Sequence, residues 1–149
     1  MTVPTGVEAL VARDGIRDLV SRYNANGDTG RFEQVRELFC ADAVMQIGRD
    51  SVYTGIDEIM SVFTGASDGT ARSSGPSYVR HFTATHQIDL IDATNARGRL
   101  YFAVLTDVGL DHWGVYMDTY RVEEGRWKFA SRRVTVDGYA PNSLFPRIA

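Results

Sequence analysis

The first third of the chain repeats its apolar positions with a helical period, and the rest follows the shorter period of strands. Over residues 7–26, Leu10, Val11, Ile16, Leu19, Val20 and Tyr23 recur at three- and four-residue spacing. Arg13, Asp14, Arg17, Asp18 and Arg22 fall on the other side, so the stretch predicts an amphipathic helix. Gly15 weakens its middle and predicts a bend, and Gly27 offers a C-terminal stop. Residues 1–6 read as a loose tail. A second helix is expected over residues 30–39, with Phe32, Val35, Leu38 and Phe39 on one face. Residues 44–47 and the return pair Val52 and Tyr53 read as a short hairpin about Gly48-Arg49-Asp50, stopped by Gly55. A third helix over residues 56–63 sets Ile56, Ile59, Met60 and Phe63 at helical spacing.

Residues 65–77 are rich in Gly and Ser and predict a loop. Four long strands follow, over residues 78–91, 96–106, 112–122 and 126–136, joined by turns at 92–95, around Gly109 and at Glu123-Glu124-Gly125. Residues 137–149 contain two prolines and read as an irregular tail. Helices and a hairpin first, long strands afterwards, imply an α+β domain over 1–149, with three N-terminal helices on one face of a curved antiparallel sheet. Strong curvature would make this a cone with a pocket at its open end. The first long strand carries His81 and His86. Five residues apart, they would face opposite sides of a regular strand.

Composition narrows the function classes. With 149 residues, 44% hydrophobic and 23% charged, the chain has the content of a globular domain with a sizeable core. A net charge of −3 and the lack of a Lys/Arg block argue against a nucleic-acid partner. A lone cysteine, Cys40, allows no intramolecular disulfide; after Leu38 and Phe39 it reads as core rather than nucleophile. No leader-like segment or membrane-length apolar run occurs, so a cytoplasmic location and no membrane partner are expected. The three histidines lack metal-ligand spacing, no Gly-rich phosphate loop follows a strand, and Ser21 and Ser131 lack a nucleophile-elbow context. No metal or cofactor is therefore expected.

Five stretches carry a resemblance: IRDLVSRYNANGD, DTGRFEQVRELFCADAV, YTGIDEI, HFTATHQIDLI and WKFASRRV. Together they resemble the SnoaL-like branch of the nuclear-transport-factor-2-like superfamily, from about Leu10 to Val136. The resemblance implies a cystatin-like α+β barrel. It also implies a His–Asp dyad like that of the dehydratase and dehydrochlorinase members, with Asp28 and His81 at the matching positions. Tyr23 matches a tyrosine of the bile-acid dehydratases, where the dehydrochlorinases carry lysine, which favours an oxygenated substrate over a chlorinated one. Arg132 matches an arginine directed at the leaving group, and its neighbour Arg133 would face the other way.

The chemistry of these residue types supports that implication independently. A neutral imidazole can take a proton near pH 7, and a carboxylate on its other nitrogen fixes the tautomer and stabilises the imidazolium. A buried phenol can donate to developing negative charge. Structural readings stand beside each role. Asp28 could cap the second helix, His81 and Tyr23 could be core, and Arg132 could form a structural ion pair. His86 is expected on the outer face or at an interface, and His112 in a turn or at the rim. Met45, Tyr53, Met60, Phe63, Tyr101, Trp113, Tyr116 and Phe129 are candidate pocket walls, with Phe145 of the tail as a plug.

The resulting expectation is a cofactor-free lyase of the dehydratase type, or an isomerase. It would act on a hydrophobic oxygenated molecule such as a steroid, polyketide or aromatic compound. The alternatives are a non-catalytic ligand-binding or assembly subunit and a polyketide cyclase. The outer sheet face suggests a homo-oligomer, either dimer or trimer.

Overall fold

The structure, a computed structural model, describes residues 2–65 and 76–149. Helix α1 (Gly6–Gly27) leads to a short α2 (Phe32–Arg36), the pair β1 (Phe39–Ile47) and β2 (Ser51–Thr54), and helix α3 (Ile56–Thr64). The long strands β3 (Arg80–Leu90), β4 (Asn95–Thr106), β5 (Gly109–Glu123) and β6 (Arg126–Tyr139) complete the chain. Most of the loop expected at 65–77 lies outside the described residues; within them, Ser77 is held by Asp107 through its N–H and hydroxyl. No helix among the described residues is long and apolar enough to cross a membrane.

The six strands form one sheet in the order β2-β1-β6-β5-β4-β3. The predicted meander is present, but the sheet is neither purely antiparallel nor a closed barrel. β1 lies parallel to β6, and β2 and β3 remain as edges. The chain has passed through β1 before the meander begins, so β6 returns beside a strand already in place. Register shifts interrupt β1/β6, β3/β4, β4/β5 and β5/β6. Bulges of this kind bend a strand and increase its twist, which curls the sheet around α1.

Three local expectations change. α1 runs through Gly15 as one helix. A Cβ there would sit 3.0 Å from the Trp127 ring, so the glycine serves close approach rather than a bend. Its buried stripe runs through Ala9, Ala12, Ile16, Leu19, Val20 and Tyr23, while Leu10 and Val11 are exposed. α2 ends at Arg36, because Phe39 enters the sheet: it pairs with Phe129, whose N–H donates to the Leu38 carbonyl at 2.8 Å.

The most consequential change concerns His86. Ala84 pairs with Tyr101 and Gln87 with Arg99, so β3 holds one extra residue between those pairs. Thr85 takes up that residue with φ 54, the left-handed region. The alternation resets after it. His86 therefore faces the same concave side as His81, not the outer face. Its Nε2 donates to the Tyr120 hydroxyl at 3.0 Å, and that hydroxyl donates to Asp118 at 2.8 Å. Gly98 leaves room for this contact: a Cβ there would lie 2.7 Å from the Tyr120 hydroxyl.

Asp118 sits opposite Arg132 across β5 and β6. The Arg132 Nε and Nη2 donate to its two carboxylate oxygens, each at 2.8 Å. Both side chains are fully buried. The guanidinium lies 3.9 Å from the Tyr116 ring centroid, 4.3 Å from Tyr23 and 4.4 Å from Phe129. Burial opposes its charge, but Asp118 outweighs that penalty and keeps the group protonated. Asp118→Ala would strand this charge among aromatic rings. It should destabilise the fold by about 3–5 kcal/mol in urea unfolding; a loss below about 1 kcal/mol would show that the pair does not organise the core.

Candidate active site

Asp28 is the first residue beyond α1. It does not cap α2, whose N-cap position is Arg31 and which has no side-chain cap. The chain turns away through Gly30, at φ 75, and the Arg31 N–H returns to the Asn26 carbonyl at 2.9 Å. This turn directs the Asp28 carboxylate at the start of β3. Its Oδ2 accepts the His81 backbone N–H at 2.8 Å, and its Oδ1 meets His81 Nδ1 at 2.6 Å. A carboxylate only accepts, so Nδ1 carries the hydrogen and Nε2 is the nitrogen left with a lone pair. A negative group at a helix C-terminus gains nothing from the helix dipole. The position is favourable because of its two bonds to His81.

The pair borders a cavity of about 410 Å³. Of the residues proposed from sequence, Tyr23, Asp28, Phe63, His81, Tyr116 and Phe145 line it. The others do not. Arg132 lies behind the Tyr23 and Tyr116 rings, with its Nε and Nη2 donating to Asp118 and its Nη1 buried without a partner among the described residues. Of the two neighbouring arginines, Arg132 points inward and Arg133 is exposed. Met45, Met60 and Phe129 belong to the buried core, and Tyr53 is half-buried on the edge strand β2. Tyr101 and Trp113 occupy outward positions of β4 and β5 and are 49% and 37% exposed. Throughout β4, and in β5 from His112 to Tyr120, the even-numbered positions are the inward ones.

Burial raises the Tyr23 phenol above its ordinary value, and the Arg132 guanidinium offsets part of that rise. Burial likewise raises Tyr116. Both phenols are protonated at neutral pH, each with a hydrogen to donate. Sequence reasoning passed over Asn24, which lines the cavity beside Tyr23 and is 7% exposed. The signal was available: Asn24 stands four residues after Val20, where the buried stripe calls for an apolar side chain.

A second His–Asp contact lies along the same sheet row. His81, Val104, His112 and Tyr139 are cross-strand partners in turn. His112 is buried rather than at a rim, with Nδ1 2.7 Å from Asp111 and its ring between Tyr139 and Phe145. Burial lowers its pKa, so it is neutral at pH 7. Asp111 also accepts from Thr106, Ser143 and the Leu144 N–H, and so pins the C-terminal tail that carries Phe145 to the cavity. The irregular tail expected after the last strand is thus anchored.

The SnoaL-like domain model matches residues 8–133. The chain belongs to the SnoaL-like domain family. Solved structures of this shape include a scytalone dehydratase-like protein from Novosphingobium aromaticivorans. It is 20% identical at a TM-score of 0.83, over 95% of this chain and 93% of that one. A hexachlorocyclohexane dehydrochlorinase from Novosphingobium barchaimii is 16% identical at 0.75, over 96% and 100%. The beta subunit of an aromatic-ring-hydroxylating-dioxygenase-like protein from Novosphingobium aromaticivorans is 18% identical at 0.73, over 91% and 95%. These likenesses establish the shared fold. The sequence matches no curated protein.

This SnoaL-like chain also gathers Cys40, Asp42 and Glu123, whose ligand atoms lie within 4.8 Å of one another. Arg121 already occupies the space between the carboxylates, 2.6 Å from Asp42 and 3.1 Å from Glu123. Burial, then the bond to Glu123, pushes the Cys40 thiol up to about 11. A protonated thiol beside a resident guanidinium suits a cation poorly.

Burial alone would raise the Asp111 carboxyl, but hydrogen bonds from Leu144, Ser143, His112 and Thr106 hold it down at about 2, against an ordinary 3.8. A depressed carboxyl stabilises the fold above its unfolded pKa and loses that contribution as pH falls through the folded value. Asp111→Asn should therefore cost about 2 kcal/mol at pH 7. In urea titrations the gap to wild type should close between about pH 4 and pH 2; a gap independent of pH would contradict this account.

Proposed function

We propose that this SnoaL-like chain is a cofactor-free lyase of the dehydratase type, or an isomerase, acting on a hydrophobic oxygenated small molecule. The observation that carries the reading is the double hold of Asp28 on His81 at the wall of an open cavity. One bond fixes the ring, the other fixes the backbone that bears it, and Nε2 remains as the base. Family membership and the dehydratase-like and dehydrochlorinase neighbours support the same class of chemistry.

In the elimination, His81 Nε2 takes a proton from carbon. The electrons of that C–H bond form a C=C bond, and the neighbouring hydroxyl leaves with the pair of its C–O bond. Tyr23 donates a hydrogen bond to the oxygen that gains charge. Asp28 stabilises the imidazolium, which then returns the proton to the departing hydroxide and releases water. Arg132 is a positioning residue in this scheme: it supports the Tyr23 ring from behind and touches no substrate. Isomerisation would use the same base, with the proton returned to a different carbon. The apolar walls at Phe63 and Phe145 suit a flat ring system.

The test is turnover of a panel of cyclic β-hydroxy ketones, followed by the ultraviolet absorbance of the enone. His81→Ala should lower kcat by about 10²–10⁴-fold with an unchanged melting temperature. Tyr23→Phe should lower kcat with little change in KM. Wild-type turnover by the His81 variant would end the proposal. Failure of the whole panel, with stoichiometric capture by a larger partner chain, would favour an assembly subunit.

A further inference from the structure

Three tyrosines among the described residues are more than nine-tenths buried, and they differ in what their hydroxyls meet. Tyr120 accepts from His86 and donates to Asp118. Tyr116, 3% exposed, stacks its ring on Phe102 at 4.5 Å between centroids, but its hydroxyl bonds to no described residue. Tyr23 has the Arg132 guanidinium near its oxygen, and a guanidinium donates without accepting, so the Tyr23 hydrogen is uncommitted too. Neither oxygen is sealed in. The enclosed side-chain polar atoms without a partner among the described residues are Asn24 Nδ2 and Arg132 Nη1, and no phenol oxygen is one of them. Tyr116 occupies an inward position of β5 and lines the cavity with Tyr23, so its accessible oxygen opens there. Phenylalanine would supply the same ring at position 116. A buried hydroxyl with no acceptor is a cost that phenylalanine avoids.

We propose that Tyr116 is a second catalytic donor, which together with Tyr23 holds the carbonyl oxygen of a ketone substrate as that oxygen becomes an enolate. The assignment deepens the function proposed above and rests on His81 being the base at the same cavity. The Tyr23 and Tyr116 rings stand edge to face, 6.2 Å between centroids, and flank one guanidinium at 4.3 and 3.9 Å. Next to burial, Tyr23 is the strongest influence raising Tyr116, and the Asp28 carboxylate raises both phenols, so the two hydroxyls and that carboxylate share one neighbourhood. A carbonyl oxygen has two lone pairs and accepts from both. His81 Nε2 takes the proton from the carbon beside the carbonyl. The C–H pair forms a C=C bond, and the carbonyl π pair moves onto oxygen, where the two phenols donate to it and keep their protons. The enolate then reforms the carbonyl and expels the β-hydroxyl, which the imidazolium protonates to water.

Hydrogen–deuterium exchange beside the carbonyl of 2-tetralone, followed by NMR in heavy water with the full chain, tests the assignment. This ketone has no leaving group, so exchange needs only the base and the oxygen donors. Wild type should speed exchange above the buffer rate. Tyr116→Phe should slow it by about 10²-fold, with a melting temperature no lower than wild type's, because the lost hydroxyl leaves no partner behind. The infrared carbonyl stretch of bound 2-tetralone should lie at lower frequency in wild type and move up in Tyr116→Phe, a shift that a purely structural hydroxyl would not produce. No exchange by wild type, an unchanged rate in Tyr116→Phe, an unmoved carbonyl stretch, or a marked fall in that variant's melting temperature would each overturn the assignment. His81→Ala should lose exchange and keep the lowered stretch, so failure of the base and failure of Tyr116 appear on different variants.

Discussion

The buried pair of Arg132 and Asp118 is the interaction around which the inside of the cone is arranged. A guanidinium without water must find its partners within the fold. Here it takes two carboxylate bonds in the plane and aromatic rings on its faces. Those partners come from α1, β5 and β6, and Tyr120 extends the set to His86 on β3. One charged group therefore fixes how the helix sits against three strands. Two of its rings, Tyr23 and Tyr116, also line the cavity. The cavity wall is thus made by the side chains that neutralise the core.

The site itself depends on a second link between the same layers. Asp28 leaves the end of α1 and holds His81 at the start of β3, 53 residues later in the chain. Holding both ring and backbone removes two kinds of freedom from the imidazole. The cavity is then finished by the tail. Asp111 collects the Ser143 hydroxyl and the Leu144 N–H, and so sets Phe145 against His112 and the cavity. Two carboxylates, each at the end of an element, accordingly determine which side chains face the space between helix and sheet.

Local pattern determined much of this protein. The periods of α1 and α3, the four long strands and the turns between them depend on neighbours a few residues apart, and the strands were legible for that reason. Asp28 and His81 were legible only through resemblance, since no local rule relates residues 53 apart. What the sequence could not fix was whatever depends on partners across the sheet. Phe39 reads as helix until Phe129 pairs with it. Arg132 reads as a group aimed at a ligand until Asp118, 14 residues earlier, takes its Nε and Nη2. His86 counts as outward by strict alternation. Thr85 adds one residue with no partner on β4, and every side chain after it changes face. Parity along a strand is a running count, so a bulge set by cross-strand pairing overrides it. The sequence by itself determined the elements and the residue types available for chemistry; the tertiary structure decided which of them share the cavity.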